Sequence, residues 1–466
     1  MRRLLRLLKW TFALLLGLPL LAYLALLLIN WNDQPPSAEA LEMQRILAER
    51  PVPADEDNAN VYLLGILAAE GVSPVELGRQ QLDWAHEVVK RSWKDAEPWP
   101  PEPELPTLQP PRETRIPSAQ KLISSCPSSE ACLPDLAGDS LLLNDWLDSE
   151  QLLLQRYLAL LQRTSNYVPP DLLDIRMTMP DYSGAFDGQR LLMAQSWLLM
   201  HAGDAAAAVA LLNQDLTFWR MMQRESDTIL QRMIAAAAIR QHFNWGRAVL
   251  VQHPDGPRAT PASWSNPFTT EDRSLERALA AEWLFSKSMV AMMKADHRVP
   301  WEDDAIALFY RAPGVITTPL IRPQTSANDY AAHLRGVIDT SITPLRELRE
   351  ASEKLRLRVR SKQESIDASA LLRDPIGWWF FRQNGLEHFL GYAARSNDIE
   401  SIRRASLLLA SAVAERIPDA GMADYVAGQT ELIDPYSEQP FGWDAENGVL
   451  RVPLLQQEEP LALPLR

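Results

Sequence analysis

The hydrophobic pattern divides the chain into a short apolar head and a long amphipathic remainder. Trp10 to Trp31 holds ten leucines and no charged residue. As a helix rising 1.5 Å per residue it is about 30 Å long, the hydrocarbon thickness of a bilayer. Trp10 and Trp31 stand at its ends, where indoles favour the headgroup region, and Pro19 is tolerated in lipid. Beyond it, apolar positions recur at helical spacing. Leu191, Ala194, Leu198 and Ala202 make one stripe before Gly203 and Asp204, which predict a helix end and the next cap. Val209, Leu212, Leu216 and Trp219 continue in a second helix, and Ile229, Met233, Ala236, Ile239 and Phe243 mark a third. Such short breaks predict antiparallel neighbours. A long helix is expected from near Thr269, with Asp272 completing a capping box, to about Ala295. Helix is expected again from Pro344 through Arg360 and from about Asn384 to Glu415.

Prolines set the boundaries. Residues 1–9 form a short leading tail and 10–31 the transmembrane helix. Pro35, Pro36, Pro51 and Pro53 bracket a helix from about Ser37 to Ala48, so residues 32–57 read as a stalk between membrane and body. Residues 58–97 are a helical segment. Residues 98–137 contain Pro98, Pro100, Pro101, Pro103, Pro106, Pro110, Pro111 and Pro117 and read as an extended excursion, either a binding element or a linker. Two helical subdomains follow, 138–252 and 269–415, the second broken over 296–344 by five prolines around a short helix near Asp303 to Tyr310. In the tail, 416–466, Phe441-Gly-Trp443 and Val449-Leu-Arg-Val452 flank Asn447-Gly448, which predicts a β-hairpin. The expected fold is mainly α: a transmembrane helix, then an irregular helical stack, then a small C-terminal hairpin. Ala202 to Val209 resembles the small-residue junction of a tetratricopeptide helix pair, and Arg395 to Leu409 resembles it loosely, without a sustained 34-residue period.

Charge gives the anchor an orientation. Arg2, Arg3, Arg6 and Lys9 precede the span and no cation follows until Arg45, so the positive-inside rule places residues 1–9 in the cytoplasm and the body outside. A cleavable signal peptide shares this pattern, but its apolar core is shorter, and the nearest small-x-small site, Ala38-Glu39-Ala40, lies well beyond Ile29. An uncleaved anchor with the body outside the cytoplasm is therefore expected. From Asn32 onward 42 basic residues face 60 acidic ones, a net charge of −18. Such a body is expected to be soluble and repelled by anionic lipid, and it lacks the basic balance that nucleic-acid binding requires. In an oxidising compartment Cys126 and Cys132 are expected to form a disulfide, with free thiols as the alternative. Closing so short a loop would stabilise the fold by about 2 kcal/mol.

Chemical motifs are sparse. The seven histidines, at positions 86, 201, 242, 253, 297, 333 and 388, form no His-x-x-x-His pair, so no metal or other cofactor is expected. Neither Gly-x-Ser-x-Gly nor a phosphate loop occurs. Ser118-Ala-Gln-Lys121 has the Ser-x-x-Lys spacing without its usual companions. Glu302, Asp303 and Asp304 after Trp301 offer the carboxylates that glycoside cleavage uses, or simply suit the positive end of a helix dipole. Trp378, Trp379, Phe380 and Phe381 are the candidate binding residues. Four consecutive aromatics on a helix cannot all face one core, so at least one borders a groove or the surface, where it can receive sugar or peptide; packing in the core or near the membrane is the alternative.

Two stretches carry a resemblance. Asp57-Asn58-Ala59-Asn60-Val61-Tyr62-Leu63-Leu64-Gly65 and Asp434-Pro435-Tyr436-Ser437-Glu438-Gln439-Pro440-Phe441-Gly442-Trp443 resemble uncharacterised single-span envelope proteins of Gram-negative bacteria, which implies no particular activity. The tail is also similar to the Asp-Pro-aromatic hairpin of type II secretion pseudopilins, while the prepilin signature is missing. A non-catalytic binding or scaffolding protein of the envelope, with a protein or peptide partner, is the first expectation. An envelope hydrolase acting on cell-wall material and a secretion-system accessory are the alternatives.

Overall fold

The computed structural model describes residues 2–91, 100, 101, 103, 107, 140–251, 260–295, 316–364, 368–377 and 387–465. The short helix expected near Asp303 to Tyr310 lies outside them, as does the disulfide expected between Cys126 and Cys132. α1 (Arg2–Ile29) is one helix through Pro19, and over Lys9–Ile29 it is long and apolar enough to cross a membrane. Leu14, Leu18, Leu21 and Leu28 along it are exposed. The body is helical, with α2 (Ala38–Ala48), α3 (Ala59–Leu64), α4 (Pro74–Lys90), α5 (Ser140–Ser149) and α6 (Gln151–Leu160) in its first half. Then α7 (Tyr182–His201), α8 (Ala205–Glu225) and α9 (Ile229–Val251) pack on one another, as their apolar stripes predict. Gly203 makes the α7–α8 turn with a φ of 88°, and Asp204 caps α8 by accepting the Ala207 N–H.

The long helix expected from Thr269 is broken in two. The capping box between Thr269 and Asp272 is present but opens a single turn, Thr270–Arg273, before α10 (Glu276–Ala295). The break has a tertiary cause. Leu275 donates its N–H to the Ser341 hydroxyl at 3.2 Å, and the Arg273 side chain reaches Asn397.

A second departure is α11 (Pro323–Ser341), which occupies part of the stretch expected to be irregular. Pro323 opens this helix, at a position where a missing N–H costs nothing. Its cap comes from far away in sequence: Asp33 accepts the N–H groups of Gln324 and Thr325, each at 2.9 Å. α12 (Leu345–Glu364), α13 (Ala368–Arg373), α14 (Glu387–Ala414) and α15 (Met422–Ala427) are the remaining α-helices named among the described residues, and α14 lies along α9.

The same neighbourhood corrects the stalk. Asn30 donates to the Leu372 carbonyl, Asn328 donates to the Pro35 carbonyl, and Ser37 N–H donates to Asn328 Oδ1, all within 2.8–2.9 Å. Ala40, Met43 and Leu47 of α2 are buried in a core shared with α10 and α11. Residues 30–48 are therefore strapped to the body instead of spacing it from α1.

A larger core gathers α3, α5 to α9, α14 and a small sheet. β1 (Gly442–Asp444) pairs antiparallel with β2 (Val449–Val452), Trp443 opposite Leu450, around the Asn447-Gly448 turn, where Gly448 has a φ of 65°. β3 (Leu461–Pro464) adds a third strand beyond the expected hairpin, and Leu450, Val452 and Leu463 face the core.

Two predictions follow from close packing and burial. A Cβ added to Gly78 would sit 1.9 Å from the Val61 carbonyl oxygen, where α4 crosses α3 backbone to backbone. Gly78→Ala is expected to destabilise the fold by about 1–3 kcal/mol, measured by urea unfolding. Asp374, 2% exposed, accepts the Ser326 hydroxyl and the Gly377 N–H. Burial pushes its carboxyl up to about 6 against these two bonds. The folded state then holds a proton that the unfolded chain, titrating near 3.8, releases earlier. Its contribution is therefore full below about pH 4, is lost as pH rises to about 6, and is flat above. Asp374→Asn should remove a pH-dependent difference on the order of 3 kcal/mol between those limits; parallel unfolding curves for the two proteins across that window would contradict it.

Candidate functional site

The deepest polar cluster resembles catalytic machinery but is closed. Asp215 of α8 is fully buried and accepts from the Tyr157 hydroxyl, from Gln189 Nε2 at 2.9 Å and from His242 Nδ1 at 2.7 Å. His242 Nε2 in turn accepts from Trp264 Nε1 at 2.8 Å, and the Tyr157 oxygen accepts from Trp219 Nε1 at 2.8 Å. This geometry fixes His242 as a neutral imidazole protonated at Nδ1. A general base needs an open lone pair within reach of a substrate proton, and here the lone pair is occupied by an indole. Burial, with Asp215 beside it, raises the Tyr157 hydroxyl well above its ordinary range, so it stays a donor. The cluster joins α6, α7, α8 and α9 and is structural.

Among the described residues are two cavities that open to solvent. The first, about 420 Å³, is lined by Arg45, Glu49, Arg50, Asn166, Glu225 and Arg277 among others. Its cations are committed. Arg45 pairs with Glu42 and Glu49, while Arg50 and Arg277 both pair with Asp227, which is buried and also accepts the Val168 N–H at 2.7 Å. Burial raises the Asp227 carboxyl against the pull of the two guanidinium groups. This cavity is a seam between the two cores, and the charged groups of its wall are engaged in internal ion pairs.

The second cavity, about 310 Å³, lies between α9, α14 and the segment after β2. Its floor is apolar, from Met233, Ile399 and Leu454, and its polar groups are Arg240, Arg395, Gln456 and Gln457. Asp398 forms part of the wall. It accepts the Tyr436 hydroxyl at 2.6 Å and the N–H groups of Leu455 and Gln456 at 2.8 and 3.3 Å. Burial raises its carboxyl, and these donors and Arg240 oppose the rise. Asp398 thereby holds residues 454–457 as the lip of the cavity. Among the described residues neither Arg240 nor Arg395 has a carboxylate within ion-pair distance, although Arg395 lies over the Tyr392 ring. Nearby Glu400 shows the contrast: burial works to raise its carboxyl, but Arg403, Arg404 and the Phe268 N–H hold it below its ordinary value. Two guanidinium groups over an apolar floor fit a carboxylate or other anion attached to a hydrophobic group.

The sequence candidates do not meet at this cavity. Trp378, Trp379, Phe380 and Phe381 lie outside the described residues, as do Ser118, Lys121 and Trp301 to Asp304. No cluster of three or more His, Cys, Asp or Glu able to hold a metal occurs among the described residues. Arg240 and Arg395 escape motif reading because no pattern marks them. Their one signal is register, since Met233, Ala236 and Arg240 follow the apolar stripe of α9 and put a cation in line with it. No family model, curated protein or solved structure matches the chain.

Removing the indole donor tests the closed cluster. Trp264→Phe leaves His242 Nε2 buried without a partner and is expected to cost about 1–3 kcal/mol of stability. A variant as stable as the parent in urea unfolding would show that the Trp264 bond contributes nothing.

Proposed function

We propose that this protein is a membrane-anchored binding or scaffolding protein of the bacterial envelope, with α1 in the inner membrane and the body in the periplasm. The cations before the span and their absence after it support that orientation. The observation that carries the binding role is the cavity between α9 and α14, where Arg240 and Arg395 flank an apolar floor while the neighbouring carboxylates are already engaged. A peptide ending in a free carboxylate beside an apolar side chain matches both features, with the carboxylate on the guanidinium groups and the side chain over Met233 and Leu454. Helical pairs such as α7 and α8, stacked in the loosely tetratricopeptide-like manner of the sequence, commonly present concave surfaces to peptides. At about 310 Å³ the site is small for a ligand pocket and suits a chain terminus better than a long segment.

Fluorescence anisotropy with peptides of apolar C-terminus tests this. Free-acid peptides are expected to bind the full-length protein at least about tenfold more tightly than their C-terminal amides. Arg240→Glu with Arg395→Glu should abolish the difference. Equal affinity for acid and amide, or binding unchanged in the double variant, overturns the assignment.

A further inference from the structure

The body and α1 meet below the end of the apolar run. Tyr23 donates its hydroxyl proton to the Ile316 carbonyl at 2.9 Å, and Asn30 donates to the Leu372 carbonyl at 2.8 Å. α1 also touches the turn Thr318–Leu320 and α13. From Tyr23 to Ile29 a helix rises about 9 Å. With Lys9–Ile29 spanning the hydrocarbon, the Ile316 backbone lies about that far inside its outer boundary, where no water satisfies an exposed polar surface.

The side chains at this end suit such a place. Ile316 is 57% exposed, Leu372 46% and Trp31 77%. Leaving these in water gains nothing, whereas an apolar medium removes their surface from water favourably. The charges around them run against the balance of the whole molecule. Between Lys354 and Arg373 stand Lys354, Arg356, Arg358, Arg360, Lys362 and Arg373 against Glu364 and Asp367, with Lys354 paired to Glu350 and Arg356 to Glu353 on the same helix. α12 ends at Glu364 and α13 begins at Ala368, so the basic half of α12 leads directly into the helix that contacts α1. Arg356, Arg358 and Arg373 are exposed. Apolar side chains among arginines whose stems can lie along lipid are the composition of an interfacial segment.

We propose that the body is a second membrane-contacting element, resting on an anionic bilayer through Ile316 and Leu372, with Arg373 and the basic half of α12 turned to the lipid phosphates. This rests on α1 being the transmembrane anchor. It also replaces the expectation that a body of net charge −18 is repelled by anionic lipid. At physiological salt a charge acts over about 8 Å, so the lipid meets the local basic face and not the sum.

The test uses the full-length protein in mixed phosphatidylcholine–phosphatidylglycerol vesicles containing a brominated lipid quencher. A fluorescent unnatural amino acid replaces Leu21, Ile316, Leu372 or Asn447, one at a time. Positions 21, 316 and 372 are expected to be quenched, and position 447, at the exposed hairpin turn, is not. Arg358→Glu with Arg373→Glu should weaken the contact about tenfold or more, seen as recovered fluorescence at 372 with 21 still quenched. Quenching at 21 without quenching at 316 and 372 overturns the contact and leaves the anchor standing. Absence of quenching at 21 overturns both. Protection of 316 and 372 from aqueous iodide without lipid quenching would mean that a second copy or another protein covers this face, and would also overturn the proposal.

Discussion

Burying carboxylates where helices cross is the constraint on which this architecture depends. A stack of helices of unequal length has no sheet to set its register, and apolar stripes alone slide against one another. Asp215, Asp227, Asp398 and Glu400 are each buried, and each accepts from groups on at least two elements. A buried charge without its donors costs several kcal/mol, so each carboxylate tolerates one arrangement of its neighbours. The resulting hubs fix α6 to α9 around Asp215, the α8–α9 turn against α10 around Asp227, and the C-terminal segment against α14 around Asp398.

The stretches 57–65 and 434–443 serve a structural purpose of this kind. Asn58 accepts the N–H groups of Asn60 and Tyr167 and donates to the Tyr167 carbonyl, stitching the start of α3 to the segment after α6. Asn60 takes a hydrogen bond from Gln231 of α9. In the tail, Asp434 accepts from the backbone of Tyr436 and Ser437, a turn that carries Tyr436 inward to Asp398. These motifs therefore bear on how the cavity wall is held, and only through it on what the cavity receives.

Much of the architecture was legible where the information is local. The apolar run of α1, the stripes of α7 to α9, the Asp204 cap and the Asn447-Gly448 turn all act within a few residues. The misses share a different property. α11 is capped by Asp33, a residue 291 positions away from Gln324, so its prolines read as a break. The interruption at Ser274 depends on Ser341, and the strapping of residues 30–37 depends on Asn328 and Leu372. For the site, conspicuous aromatic and acidic runs drew attention away from single arginines such as Arg240, whose meaning depends on Arg395 being brought beside it by α14. No window of sequence contains both.

The strap across Asn30 to Ser37 has a consequence for encounter. A domain on slack chain explores a shell of space around its attachment and meets partners by swinging toward them. Here the bonds from Leu372, Gln324 and Asn328 take up that slack. If α1 crosses a membrane as proposed, these bonds hold the body close to that helix, and a ligand of the cavity would have to arrive by lateral diffusion or reach down to its level. On that reading, selectivity would come as much from altitude as from chemistry.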